Sequence, residues 1–175
     1  NSRQMLNKAI LDLSNLTKSL HTDRITEIGL SELIGFHIES IKNSGIIEVQ
    51  YSVSGEEFSF DEQKKIFLFR MFQEIFNNML KHSKATLVKV SLDYGVNNNF
   101  VMKIEDNGIG FNVEEKRHSV SSSSGVGLKS LFNRAKLLGA NLTMLSEEGK
   151  GTRVSIELAE AESLKLWQKR NERYW

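Results

Sequence analysis

Residues 61–82 read Asp61-Glu62-Gln63-Lys64-Lys65-Ile66-Phe67-Leu68-Phe69-Arg70-Met71-Phe72-Gln73-Glu74-Ile75-Phe76-Asn77-Asn78-Met79-Leu80-Lys81-His82, and two patterns are superimposed on them. Leu68, Phe72, Ile75, Phe76 and Met79 recur at the spacing of one helical face, and Asp61 is a suitable N-cap for the helix they predict. Arg70, Glu74, Asn77, Asn78 and Lys81 repeat the same spacing and, at about 100° per residue, share a second, polar sector. A carboxylate, carboxamides and cations on one face can bind a metal ion and an anionic ligand. A solvated face with an intrahelical Glu74–Asn78 pair accounts for the same stripe, and the helix alone leaves both readings open.

Downstream, strands are predicted from Thr86 to Asp93 and from Phe100 to Glu105, joined by an Asn97-Asn98-Asn99 turn. A polar loop from Asp106 to Gly125 follows, with Gly127 opening a helix that stops near Gly139. Strands Asn141–Ser146 and Thr152–Leu158 then flank the turn Glu147-Glu148-Gly149-Lys150-Gly151. Upstream, Leu30, Leu33, Ile34, His37, Ile38 and Ile41 mark a helix ending at Gly45, and Ile47, Val49, Tyr51 and Val53 alternate as a strand turning at Gly55. Leu6, Ala9, Leu13, Leu16 and Leu20 form a short a/d seam, suited to a helix packed on its own domain or to a dimerising helix. Helices and strands mix without strict alternation. The expected fold is an α+β two-layer sandwich, with helices covering one face of a mixed, mostly antiparallel sheet.

The 175 residues include no cysteine and no proline, 39% are hydrophobic, and the net charge is +1. A disulfide scaffold, a thiol nucleophile and a cysteine-ligated metal are excluded, and a linker-rich chain is disfavoured. Balanced charge gives no global nucleic-acid signal, so no direct nucleic-acid partner is expected. No run approaches the ~18 apolar residues needed to span a bilayer. The opening Asn1-Ser2 reads as the start of an excised piece, with function shared by a part not included. The tail Ala161–Trp175 mixes Leu164, Leu166, Trp167, Tyr174 and Trp175 with cations, which fits a docked helix, a frayed end or a partner-binding segment.

Three glycine motifs follow the polar helix. Singly, Asp106-Asn107-Gly108-Ile109-Gly110 is compatible with an ordinary turn, Gly125-Val126-Gly127-Leu128 with a helix start whose free N–H groups favour phosphate, and Gly149-Lys150-Gly151-Thr152 with a hairpin. In order, Glu-x-x-x-Asn-x-x-Lys-His, Asp-x-Gly-x-Gly, Gly-x-Gly-Leu and Gly-x-Gly-Thr resemble the N, G1, G2 and terminal G boxes of the Bergerat-fold (GHKL) ATP-binding superfamily, which includes gyrase, Hsp90, MutL and histidine kinases. Arg70–Glu74 through Asn78–Ala85, and Gly127-Leu128 continuing to Asn133-Arg134-Ala135, are similar to the form found in NarL/DesK-type sensor histidine kinases.

The resemblance implies a role for each matched residue. Asp106 would accept from the adenine amino group and reject guanine, whose carbonyl would face the carboxylate. Thr152 would support that contact, and Gly108 and Gly110 would let the strand end pass beside the base. Asn78 would ligate Mg²⁺, a hard cation suited to a carboxamide oxygen. Lys81 and His82 would face the phosphates. Gly125, Val126, Gly127 and Leu128 would form the hinge and phosphate-contacting end of an ATP lid spanning Phe111–Ser124. Glu74 matches the acidic residue that activates water in superfamily ATPases and assists the acceptor histidine in kinases.

The resemblance also implies a division into residues 1–28 (end of a dimerisation domain and link), 29–160 (ATP-binding catalytic domain) and 161–175 (tail). It implies transfer of the ATP γ-phosphoryl to a histidine, relay to a response regulator with a helix-turn-helix output, homodimerisation through the N-terminal helix, and a cytoplasmic position in a membrane-anchored sensor. The family's acceptor histidine precedes an acidic residue, whereas the histidines here read His21-Thr22, His37-Ile38, His82-Ser83 and His118-Ser119. Self-phosphorylation is therefore not expected, and His37 is expected in a core or interface. Rival readings are another superfamily ATPase or serine kinase, which would lack the leucine seam, and a non-catalytic ATP-binding module, which would lose Asn78 or the lid glycines.

Overall fold

The computed structural model describes residues 28–113 and 123–159. The leucine seam from Leu6 to Leu20, His21, most of the expected lid with His118, and the tail from Ala161 lie outside the described residues. The elements follow the order α1 (Leu30–Lys42), β1 (Glu48–Gly55), α2 (Glu62–His82), β2 (Leu87–Tyr94), β3 (Phe100–Asp106), α3 (Ser123–Leu138), β4 (Asn141–Ser146) and β5 (Thr152–Leu158). One five-stranded sheet has the order β1-β2-β3-β5-β4. Strand β1 runs parallel to β2, and the remaining pairs are antiparallel.

Strand alternation puts the core on one face. Val88, Val90 and Leu92 of β2, Phe100, Met102 and Ile104 of β3, and Val154 and Ile156 of β5 are buried, while Lys89, Asp93, Lys103, Arg153 and Glu157 between them are exposed. Helix α2 buries Leu68, Phe72, Ile75, Phe76 and Met79, as its periodicity predicts. Its two ends are fixed by side chains. Asp61 Oδ1 accepts from the Lys64 N–H at 2.9 Å, and Ser83 Oγ donates to the Met79 carbonyl at 2.7 Å.

One boundary differs from the sequence reading. Helix α3 begins at Ser123, upstream of the expected start at Gly127, so Gly125, Val126 and Gly127 belong to its opening turns rather than to the loop. Serine favours helix N-termini, and the serine-rich approach carries the helix back through both glycines.

At the start of α1 the chain is clasped to the sheet. Glu57 accepts from the Ser31 amide at 3.2 Å, from the Ser31 hydroxyl, and from the Tyr94 hydroxyl at 3.1 Å. Tyr51 donates to the Ser31 carbonyl at 2.7 Å, and Lys65 Nζ donates to the Ile28 carbonyl at 2.9 Å.

His37 is buried, with its ring edge-on to Phe69, Phe72 and Phe76 at centroid distances of 6.1, 5.6 and 6.0 Å. Its Nε2 has no hydrogen-bond partner, and burial lowers its pKa from 6.5 to about 4. Between those values the unfolded chain binds the extra proton, so stability falls as pH drops through this window, by about 3 kcal/mol in total. His37→Leu removes that component. In urea unfolding, wild type and variant are expected to diverge as pH is lowered from about 7 to 4.5, with the variant losing less; parallel profiles would contradict the account.

Candidate functional site

The inward rows of the sheet end in polar residues. Along β3 they run Phe100, Met102, Ile104 and then Asp106; along β5, Leu158, Ile156, Val154 and then Thr152. Asp106 is registered with Thr152, and Thr152 with Ser146 of β4. A cavity of about 130 Å³ opens at this end. Ile75, Met79, Leu128, Leu131, Met144 and Val154 supply its apolar walls, and Asn78, His82, Ser83, Asp106 and Thr152 its polar groups. Such an apolar slot with a few placed polar groups is the usual form of a small-molecule site.

Asp106 is the most constrained of these groups. Its Oδ1 accepts from the Gly108 N–H at 2.8 Å, whereas Oδ2 is buried and has no partner among the described residues. Burial raises its pKa, while hydrogen bonds from Gly108 and Thr152 pull the other way. An acceptor left unpaired in a cavity wall matches a ligand that brings a donor. Gly108 is required by close approach, since a Cβ there would lie 2.1 Å from the Ser83 carbonyl oxygen. The same carbonyl accepts from the Ile109 N–H at 2.7 Å and fixes the turn against the end of α2.

On the polar face of α2, Asn78 Nδ2 donates to Glu74 Oε1 at 3.2 Å. The carboxamide nitrogen is thereby engaged, which leaves the oxygen as the acceptor of this cavity-lining side chain. Helix α3 comes down on this pair at Gly127, where a Cβ would lie 2.4 Å from Glu74 Oε1. Among the described residues no group of three His, Cys, Asp or Glu could hold a metal. A hard divalent ion would have to use the Asn78 oxygen together with water and ligand oxygens, a donor set that suits Mg²⁺.

Most of the matched residues therefore converge. Asn78, His82, Asp106, Gly110, Leu128 and Thr152 line the cavity. Gly108 lies behind Asp106, and Glu74 and Gly127 adjoin Asn78. Gly125 and Val126 fall in the opening turns of α3. Lys81 is exposed and lies outside the cavity wall.

Three polar residues escaped the sequence reading. Asn107 Oδ1 accepts from the Thr86 and Leu87 amides at 3.0 Å each, and its Nδ2 donates to Thr86 Oγ1 at 2.9 Å, so it completes the start of β2. Its place within the Asp-Asn-Gly motif was the available signal. Ser83 and Ser146 are single serines at element ends, and nothing in the local sequence distinguishes them.

Residues 63–162 match the family described as "Histidine kinase-, DNA gyrase B-, and HSP90-like ATPase". The chain is 27% identical over 154 residues to the oxygen sensor histidine kinase NreB of Staphylococcus carnosus (strain TM300), covering 88% of this chain and 43% of that protein. It is 30% identical over 131 residues to the sensor histidine kinase LiaS of Bacillus subtilis (strain 168), covering 74% and 33%. It thus spans less than half the length of these relatives. In fold it is similar to the blue-light activated histidine kinase of Erythrobacter litoralis EL346, with a TM-score of 0.62 at 17% identity over 90% of this chain and 47% of that one. Likewise it is similar to the histidine kinase AdeS of Acinetobacter baumannii, with a TM-score of 0.61 at 15% identity over 85% and 78%. The chain belongs to the histidine kinase-, DNA gyrase B- and HSP90-like ATPase family, as an ATP-binding catalytic domain of the sensor histidine kinase type.

Proposed function

We propose that this chain binds Mg-ATP in the cavity beside Asp106 and, within a longer protein, presents the γ-phosphoryl to a histidine for relay to a response regulator. The observation that carries the reading is the buried Oδ2 of Asp106, without a partner among the described residues, at a largely apolar slot. Adenine supplies a donor to that oxygen, whereas guanine would bring a carbonyl against it. Thr152 flanks the carboxyl, and Gly108 and Gly110 leave room beside the base. The first turn of α3, which includes Gly125, offers N–H groups and the positive dipole end to the phosphates, Gly127 lets the helix approach Glu74 and Asn78, and Lys81 and His82 face the phosphates.

Glu74 and Asn78 are the catalytic pair on this reading. The Asn78 oxygen would hold Mg²⁺, which would neutralise charge on the phosphate oxygens. Glu74 holds the Asn78 amide by its nitrogen, which points the oxygen outward. Phosphoryl transfer has a loose transition state, so such positioning provides most of the rate. A second role for Glu74, accepting the proton of an incoming imidazole, would fall to its other carboxylate oxygen, since Asn78 engages Oε1 alone.

The accompanying proposals concern the whole protein. Residues 1–28 end a dimerisation unit that makes it a homodimer, 29–160 form the catalytic domain, and 161–175 a separate tail. The regulator carries a helix-turn-helix output, and this portion lies on the cytoplasmic side of a membrane-anchored sensor. No described helix is long and apolar enough to cross a membrane.

Two variants test the site. Asp106→Asn is expected to weaken ATP binding at least about tenfold in calorimetry, since it removes a charge-assisted hydrogen bond. A carboxyl whose folded pKa is raised costs stability once pH exceeds that pKa. The variant should therefore unfold at no lower temperature than wild type at pH 7. Unchanged ATP affinity would remove Asp106 from base recognition. Asn78→Ala is expected to erase the gain in ATP affinity that Mg²⁺ gives wild type, to spare adenosine binding, and to abolish phosphotransfer in the full-length protein. Normal transfer by that variant would refute the assignment of Asn78.

A further inference from the structure

We infer that Ser146, which lines no part of the base cavity, is a positioning residue that sets adenine affinity by fixing the Thr152 hydroxyl and the Phe111 backbone on either side of Asp106. The inference rests on the reading of the cavity as an adenine site. It starts from the sheet register. Asp106, Thr152 and Ser146 are paired neighbours across β3, β5 and β4, so their side chains leave the same face in one row. Ser146 is the outermost of the three, on an edge strand.

Its hydroxyl makes three contacts with only one proton to give. Ser146 Oγ accepts from the Phe111 N–H at 2.9 Å, is placed to donate to the Gly151 carbonyl at 3.1 Å, and lies 2.9 Å from Thr152 Oγ1, where either oxygen can be the donor. If the proton goes to Gly151, the Thr152 proton must point to Ser146, and Thr152 then turns lone pairs toward Asp106. If it goes to Thr152, the Thr152 proton is released toward the carboxyl. An ionised carboxylate accepts only, so it selects the second arrangement. The chain of donors then runs from the Phe111 amide through Ser146 and Thr152 to Asp106, and each link polarises the next. Asp106 Oδ1 accepts from Gly108 and keeps a second lone pair for this row, so the charged form is stabilised while Oδ2, without a partner among the described residues, is left to the ligand. Hydrogen bonds from Thr152 lower the pKa of Asp106 against its burial, in agreement with that direction.

Phe111 is itself a wall of the cavity. Ser146 therefore determines where the chain stands as it leaves the Asp-x-Gly-x-Gly turn. Removing the hydroxyl leaves the Phe111 amide without that acceptor and frees Thr152 to rotate.

The test uses calorimetry of the 175-residue chain with Mg-ATP, on wild type, Ser146→Ala, Ser146→Thr, Thr152→Val and the Ser146→Ala/Thr152→Val pair, together with hydrogen exchange at the Phe111 amide. Ser146→Ala is expected to bind ATP roughly five- to tenfold more weakly and to exchange the Phe111 amide faster. Ser146→Thr should restore both, and the double variant should lose less than the two single losses added together, because the singles share the Ser146–Thr152 bond. Wild-type affinity in Ser146→Ala, additive losses in the pair, or unchanged exchange at Phe111 would each overturn the inference. Wild type that binds no ATP would overturn the adenine reading beneath it, which separates the two failures.

Discussion

Asp106 continues an inward-facing row whose earlier members are Phe100, Met102 and Ile104, and ionising a carboxyl in that position is costly. The surroundings follow from meeting this cost. A donor must return to the carboxyl immediately, which Gly108 does by folding back against the Ser83 carbonyl with no side chain in the way. That reversal ends the β3 ladder early, and Asn107 replaces the lost pairing by accepting from two amides at the start of β2. The turn is anchored a second time where the Ile109 carbonyl accepts from Gly149 of the β4–β5 hairpin at 2.7 Å. The setting of the Asp106 carboxyl is thus built largely from backbone, at the open end of the sheet.

Helix α2 solves a different problem, since one element serves both core and site. Phe72 and Phe76 stack at 5.2 Å on the buried face, while Glu74 and Asn78 occupy the sector beside them. Ile75 and Met79 belong to the core and also wall the cavity. The amide of Asn78 is therefore as fixed as the core is, apart from its own side-chain torsions. Gly127 lets α3 close on the pair without displacing it.

Both patterns of α2 were legible because a long helix repeats its period often enough to separate two sectors, and the apolar rows of the strands were legible by alternation. Asp106 and Thr152 were another matter. By alternation they are merely the next inward positions, and only the order of the glycine motifs singled them out. Ser146 could not be read at all, because its importance lies in a register across the Glu147–Gly151 turn and in a contact with Phe111, residues distant in sequence. The start of α3 was misplaced for a local reason, as two glycines argued for loop where a serine-rich approach supports helix. The expectations for the leucine seam and the tail concern residues outside those described.

The two halves of the site sit on separate elements, and this separation has a mechanical consequence. Asp106 is carried by β3, while Asn78 and Glu74 are carried by α2. On the proposed reading, the distance from base to metal ligand is set by how α2 rests on the sheet, through buried residues such as Met79, Ile104 and Val154. Loss of volume in that layer would allow α2 to settle, because packed interiors relax only in part around a void. Asp106, held by its own turn, would keep its place, whereas Asn78 would shift relative to the phosphates. A bound nucleotide would then lose transition-state positioning before it lost adenine recognition, since a displacement of about 1 Å is enough to cost catalysis heavily. On the proposed reading the core is therefore part of the catalytic geometry, and the turn at the sheet end keeps the base contact independent of it.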